Sequence, residues 1–460
     1  MTESDRARIK AVRILKDVLE SGAYANLSAI RLLADDTLDS RDRAFASALV
    51  YGTISRLPAL DYLLGRVLRR PLASLDPDTR TILRLGAWQL LYAVKVPPHA
   101  AVDSSVRLAR QLTNPGAASL VNACLRRLAS ADRPELPAGN LALAYGLSNE
   151  LFGCLKKWYG LEEARAIAAD ALEARPQTTI RVNQLKTTPV RLLAQLRAEH
   201  FAAGPGHYCP EALDLDLAGH SVAALPAYQE GLFTVQDEAA MLVAAAADPK
   251  PGWRVIDLCA APGGKATHLA ERMQDQGQIF ALDISPSRLS LITAHARRLG
   301  LTSVRTAVAD ATAPEWPAGL PETAELVLAD VPCSGLGLLG RKPEIRLTMT
   351  YARMSELVRL QAAILRRAAA LVAPGGVLIY STCTINPDEN IRQIHTFLQS
   401  PEGQALVLED LTPFLPVALL AHQDLQAAAK LGYIQLLPHR HQTDGFFIAR
   451  MRRQSHAALS

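Results

Sequence analysis

Two cysteines sit at the ends of neighbouring apolar runs that read as strands. Cys333 lies in Leu328-Ala329-Asp330-Val331-Pro332-Cys333-Ser334-Gly335, and Cys383 in Tyr380-Ser381-Thr382-Cys383-Thr384. A lone cysteine is most often a small buried hydrophobe. Two at strand ends, one of them beside Asp330, make a set of nucleophile, second thiol and carboxyl. That set suits methylation of a weakly nucleophilic carbon. Carbon 5 of cytosine attacks an electrophilic methyl only after a thiolate has added at carbon 6 and turned the ring into an enamine. Charge then develops at N3, which calls for an acid or hydrogen-bond donor; a partly buried carboxyl with a raised pKa serves, and Asp330 is the candidate. The carbon 5 proton must finally leave and the thiol be expelled, a step a second cysteine can assist. An amino-group methylase would instead want a polar-Pro-Pro-aromatic run at this strand, where the chain has Asp330-Val331-Pro332-Cys333.

A donor site precedes these strands. Cys259-Ala260-Ala261-Pro262-Gly263-Gly264-Lys265 joins an apolar strand to a helix start, so a ligand can approach bare backbone amides. It lacks the three spaced glycines of a dinucleotide site, and Lys265 suits the carboxylate of an amino-acid-containing cofactor. Asp283 closes the next strand, where a carboxylate meets ribose hydroxyls, and Asp310 closes the third, placed to accept from an adenine amino group. Either alone is often a helix cap. Both in register with the loop fit S-adenosylmethionine. The six cysteines form no CxxC pair, so neither a zinc site nor a disulfide framework is expected.

These groups need a sheet to hold them, and the 460 residues supply more than one domain. From Trp253 onward short apolar strands alternate with helices, the rhythm of a doubly wound parallel sheet, closing on a terminal hairpin at GFFIARM. Arg6 to about Leu128 repeats apolar residues at helical spacing, and a Pro-rich polar stretch near residues 130–139 reads as a linker. Residues of about 147–230 mix helices with a β-like Thr178 to Val182. The net charge of +4 is uneven, with 20 Lys+Arg against 14 Asp+Glu over residues 1–145. Of the 49 cations 39 are arginine, which suits phosphate contact but follows equally from a GC-rich genome. No apolar run reaches the roughly 18 residues a membrane span needs, and no secretory signal is visible, so a cytoplasmic protein is expected.

DLCAAPGGK, ALDIS, DVPCSG, YSTCTINPDEN and TDGFF resemble the motifs of the bacterial RNA cytosine-5 methyltransferases, in particular the branch acting on 16S ribosomal RNA. RDRAFASALVYGTISR, LRLGAWQLLY and the stretch from Pro98 to Leu128 are similar to the NusB-like helical domain that precedes the catalytic part in that branch. The resemblance implies a multidomain chain: an all-α NusB-like RNA-binding domain over 1–135, a small α+β connector over 146–230, and an α/β Rossmann-like class I methyltransferase domain over 231–455 with a terminal antiparallel strand. It orders the cysteines, which chemistry alone does not, because DNA cytosine methylases carry the nucleophile after a proline at the fourth strand. Cys383 is implied as nucleophile and Cys333 as the group that assists release, with Cys259 to Lys265, Asp283, Asp310 and Asp330 around S-adenosylmethionine. The implied partner is 16S ribosomal RNA, free or partly assembled, with no metal, no membrane and no obligate protein partner. Transfer RNA, large-subunit ribosomal RNA, and a non-catalytic RNA-binding assembly factor are the alternatives. One departure is LSNELFGCLKKWYG at Leu147 to Gly160, where the family shows a Ser-His-Pro type segment.

Overall fold

The computed structural model describes residues 3–33, 38–173, 177–217 and 219–455. Two compact units are present: the described residues of Met1–Ala174, Ala218–His220 and Leu339–Tyr351 form one, and those of Arg175–Leu217, Ser221–Leu338 and Ala352–Ser460 the other.

The first unit contains no strand among the described residues, in line with its helical periodicity. Its longer helices are α1 (Glu3–Ser21), α2 (Ala25–Leu33), α3 (Ser40–Ser55), α4 (Leu57–Val67), α5 (Pro77–Tyr92), α6 (Pro98–Leu112), α7 (Pro115–Ala129), α8 (Asn149–Tyr159) and α9 (Leu161–Asp170). Helix starts follow local chemistry. Asp76 accepts from the Thr79 amide at 2.9 Å ahead of Pro77, and Asn114 accepts from Ala117 at 2.9 Å ahead of Pro115. Ile82, Leu83, Leu85, Leu108, Val121 and Leu125 are wholly or almost wholly buried, each contributing about 1.5–3 kcal/mol of apolar burial. A Cβ at Gly86 would come within 2.6 Å of Leu125 and 2.7 Å of the Ser105 hydroxyl, so α5 must carry glycine where it meets α6 and α7.

The second unit holds two sheets. One has the order β2 (Ala203–Pro205), β3 (Ala212–Asp216), β1 (Gln177–Val182), β4 (Phe233–Val235), all antiparallel, with α10 (Pro189–Ala198). The other runs β10 (Leu406–Leu408), β12 (Phe446–Arg453), β9 (Val372–Thr382), β8 (Ala324–Asp330), β5 (Arg254–Asp257), β6 (Gln278–Asp283), β7 (Val304–Val308), with β11 (Tyr433–Leu436) paired to β12. Strands β5 to β9 are parallel, whereas β10, β11 and β12 pair antiparallel. The terminal hairpin expected at GFFIARM is β11 with β12, and β10 adds one further antiparallel strand beside it. Helices α11 (Glu238–Ala247), α12 (Gly264–Arg272), α13 (Pro286–Leu299), α14 (Tyr351–Leu371), α15 (Ile391–Leu398) and α16 (Gln423–Lys430) complete the unit.

Alternation sorts the sheet's side chains. Val255, Leu326, Leu328, Val377 and Ile379 join the alanine-rich α11 and α12 in one core, while Ile256, Val327, Ala329, Leu378 and Tyr380 join Ile364, Leu365 and Ala368 of α14 in the other. With both faces covered, these strands read as unbroken apolar runs. Their carboxyl ends therefore carry the polar residues, and the site gathers there.

Candidate active site

The loop from Leu258 to Gly263 links β5 to α12. It is pinned from both sides, Leu258 donating to Leu328 O at 3.0 Å and Ala260 to Leu282 O at 2.8 Å. Gly263 has φ +105°, and a Cβ there would also lie 3.1 Å from Ile292. Before Gly264 the space is open, the nearest atom to a Cβ being Gln236 Nε2 at 3.9 Å. A backbone cradle of this kind can accept an anionic or polar ligand group at a helix start.

Arg181 of β1 fixes the first turn of α12 from below. Its guanidinium is fully buried and donates to Gly264 O at 2.8 Å, to Thr267 Oγ1 at 3.2 Å, to Gln236, and to both oxygens of Glu271 at 2.9 and 3.1 Å. Burial raises the Glu271 pKa against the opposing pull of Arg181, so the arginine is what permits a carboxylate at this depth. Nothing in the sequence around Arg181 marked it, because its partners lie 55 to 90 positions away.

The carboxylates divide by environment. Asp330 receives Lys265 Nζ at 2.6 Å and the Ser381 hydroxyl at 2.7 Å. Asp330, the carboxyl expected to serve at N3, is thus the partner of Lys265. Lys265 also lies 5.0 Å from the Phe446 ring. Burial disfavours its charge, yet Asp330, with a further contribution from Cys383, raises its pKa overall. Asp257 at the end of β5, which no local sequence signal marks, is a carboxyl pushed towards its protonated form. Full burial first, and the neighbouring Asp330 next, drive its pKa up to about 8. Asp283 is buried, accepts from Ser285 N at 2.9 Å and meets Arg288 Nη1 at 3.3 Å. Asp310 accepts from the Thr312 hydroxyl and amide at 2.6 and 2.8 Å, which lowers its pKa. These strand-end carboxylates, with the open loop amides, form a donor and acceptor set that fits an amino-acid nucleoside. The Cys259 thiol is pushed up by burial and by Asp257, which leaves it the least reactive form of sulfur.

Beyond β8 and β9 the two candidate thiols meet: Cys333 Sγ lies 3.3 Å from Cys383 Sγ. The hydrogen bond to Cys383, then burial, holds the Cys333 thiol well above its ordinary pKa. The loops bearing them are tied together, Gly337 N donating to Cys383 O at 3.2 Å and the Ser334 and Thr384 hydroxyls meeting at 2.7 Å. Glu389 organises both. Fully buried, it accepts from Ser334 N at 2.8 Å, from the Ser334 hydroxyl, from Gln361 Nε2 at 2.8 Å and from Asn386 Nδ2 at 2.9 Å. The sequence suggests a helix from Pro387 here, but residues 387–390 are turns and α15 begins at Ile391. These turns swing Glu389 back under the thiols. An acidic residue six positions after Cys383 was the one available signal.

Asp237 caps α11 and accepts from the Asp444 amide at 3.0 Å. Next to it, Gly445 packs on Gly337, where a Cβ would fall 1.9 Å from Gly445 O. The closing TDGFF motif thus abuts the loop that follows Cys333.

Three family descriptions match the chain: the NusB family over residues 5–130, an RsmF/B-like ferredoxin-like domain over 151–222, and 16S rRNA methyltransferase RsmB/F over 244–452. A probable ribosomal RNA small subunit methyltransferase B of Synechocystis sp. is 36% identical, covering 97% of this chain and 99% of its own. That of Bacillus subtilis, also described as probable, is 36% identical over 96% and 98%, and ribosomal RNA small subunit methyltransferase B of Yersinia enterocolitica 31% over 98% and 99%. The solved structure of PH0851 superposes at TM-score 0.82 with 27% identity over 98% of each chain. A methyltransferase homolog protein from Pyrococcus horikoshii, 28% identical, covers 69% of this chain and 100% of its own at TM-score 0.57.

Proposed function

The chain belongs to the RsmB/F family of 16S rRNA methyltransferases, and from that premise we propose that it methylates carbon 5 of one cytosine in small-subunit ribosomal RNA through a transient Cys383 adduct. The observation that carries this reading is the approach of two thiols to 3.3 Å at adjoining strand ends, beside the Lys265–Asp330 pair. Residues 259–265 with Asp283 and Asp310 would hold S-adenosylmethionine, whose sulfonium would supply the methyl group and leave as the neutral thioether. Cys383 adds to carbon 6 of a cytosine that must be unpaired or flipped out, since stacking buries that atom. Lys265, whose charge couples to Cys383, favours the thiolate. Carbon 5 is then nucleophilic and takes the methyl. The carbon 5 proton passes to water, and the electron pair it leaves breaks the carbon–sulfur bond, which restores the ring and frees Cys383. Cys333, kept a thiol by its contact with the Cys383 sulfur, assists that release.

The two cysteines separate under mutation. Cys383→Ala is expected to abolish transfer of radiolabelled methyl while retaining S-adenosylmethionine binding, and Cys333→Ala to accumulate an RNA–protein adduct seen as a retarded band on denaturing gels. Normal methylation by Cys383→Ala removes the assignment. Mapping 5-methylcytosine in RNA from a deletion strain and its parent tests the substrate.

A further inference from the structure

The structure of the first unit points to a site of its own for the RNA chain, and we propose that the cleft between α6 and α7 binds backbone phosphates of the substrate. This deepens the function proposed above and rests on it. Between Asp103 and Asp132 the sequence has four arginines and no carboxylate. Three of these arginines line one cleft of about 490 Å³, together with Ser119, Asn122 and the single carboxylate of Asp103. The spacing explains the convergence. Arg107 and Arg110 are three apart on α6, and Ser119, Asn122 and Arg126 are three and four apart on α7, so each set shares one helix face. The opposite faces hold the buried Leu108, Ala109, Val121 and Leu125, which leaves the arginine faces unused in packing.

The guanidiniums are only partly satisfied within the protein. The Arg110 guanidinium makes no hydrogen bond or ion pair among the described residues. Arg126 donates through Nε to Asn122 Oδ1 at 2.9 Å, which leaves both terminal amines without a partner among the described residues. Arg107 gives one amine to Asp5 at 3.0 Å and is half exposed. Three cations against two carboxylates, Asp103 in the cleft and the Asp5 that pairs with Arg107, leave an unmatched positive charge, and the planar fork of arginine matches phosphate oxygens two at a time. Asn122 adds through its Nδ2 a neutral donor of the kind that accompanies phosphate and sugar contacts, while the Ser119 hydroxyl donates to Pro115 O at 3.1 Å and offers its oxygen lone pair to water or sugar hydroxyls. The cleft is open and much larger than one phosphate, so a run of phosphates along a strand fits it better than a single free anion.

The test uses the full-length protein with a short single-stranded RNA and with small-subunit ribosomal RNA transcribed in vitro. Arg110→Ala/Arg126→Ala is expected to weaken binding of both about tenfold and to lower the slope of log affinity against log salt by about 1.4, measured between about 50 and 200 mM. KM for RNA should rise to match, with kcat at saturating RNA and KM for S-adenosylmethionine unchanged. Arg110→Lys/Arg126→Lys should recover most of the affinity. Arg69→Ala/Arg70→Ala, which removes two exposed cations outside the cleft, should leave the slope in place. Unchanged RNA affinity in a variant that melts normally overturns the proposal and leaves the cleft to an acidic protein segment; an equal effect of the control pair also overturns it. Protein that binds RNA through these arginines yet transfers no methyl would remove the proposed function and leave this site standing.

Discussion

Replacing Glu389 by glutamine tests how the two thiols are held together. The native carboxylate is buried, has no basic side chain among its hydrogen-bond partners, and is stabilised by four donors from Ser334, Gln361 and Asn386. Glu389→Gln preserves volume but turns one acceptor oxygen into a donor. Gln361 cannot compensate freely by flipping its amide, because its Nε2 also donates to Pro332 O at 2.9 Å. The backbone amide of Ser334 cannot flip. One buried donor is then unmatched, at about 1–3 kcal/mol, and the surviving bonds lose their charge assistance, so a total of about 2–4 kcal/mol is expected. At about 2–4 °C per kcal/mol for a unit of this size, calorimetry should show Tm falling by roughly 5–15 °C. Ser334 adjoins Cys333 and touches Thr384 beside Cys383, so the sulfur pair loosens with it. Single-turnover methyl transfer well below the melting range should therefore slow at least about tenfold, since misplacement of reacting groups by about 1 Å costs up to a hundredfold, while affinity for S-adenosylmethionine is unchanged. A Tm within about 2 °C of wild type together with a rate within about twofold would refute the reasoning.

Asp257 predicts a pH dependence of stability. Its folded pKa of about 8 lies above the ordinary value, so its contribution is fully present below about pH 4 and is lost as pH rises through about 8. Asp257→Asn should remove a decline of up to about 1.4 kcal/mol per pH unit from that window, read from denaturation midpoints across pH; parallel curves for the two proteins would contradict it. Gly337→Ala should drive the loop after Cys333 away from Gly445, whose carbonyl would lie 1.9 Å from the new Cβ. The expected result is a Tm loss of several degrees and reduced kcat, checked by calorimetry and steady-state kinetics, and Gly65→Ala, where nothing lies within 4 Å, is the neutral comparison.

Local signals made much of the architecture legible. The helical third announced itself through apolar spacing and through Asp76-Pro77 and Asn114-Pro115, and the parallel strands through runs such as Leu326 to Ala329. The cysteines and the glycine loop were visible because their chemistry depends on residue type and on position at a strand end. Arg181 and Asp257 were hidden for one physical reason: what they do depends on what surrounds them. Arg181 is an ordinary strand residue until β1 is laid against α12, and Asp257 is an ordinary aspartate until burial and Asp330 change its proton affinity. Glu389 read as a helix-start residue because its neighbours, Asn386 and Pro387, are typical of one; the donors that define it come from Ser334 and Gln361, 55 and 28 positions away.

Residues 339–351 belong to the first unit although they follow β8 of the second in sequence. Within that unit Arg346 donates to Tyr145 O at 2.8 Å and Ala171 O at 2.6 Å, and Glu344 accepts from Ala25 N at 3.3 Å. Burial, then Arg56, lowers the Arg346 pKa to about 9. On the ribosome, Tyr145 emerges 201 residues before Arg346, and synthesis at about 5–20 residues per second makes that wait roughly 10–40 s. For that interval the first unit exists without its last piece, leaving two backbone carbonyls to water, and it becomes complete only after most of the second unit's strands have been made.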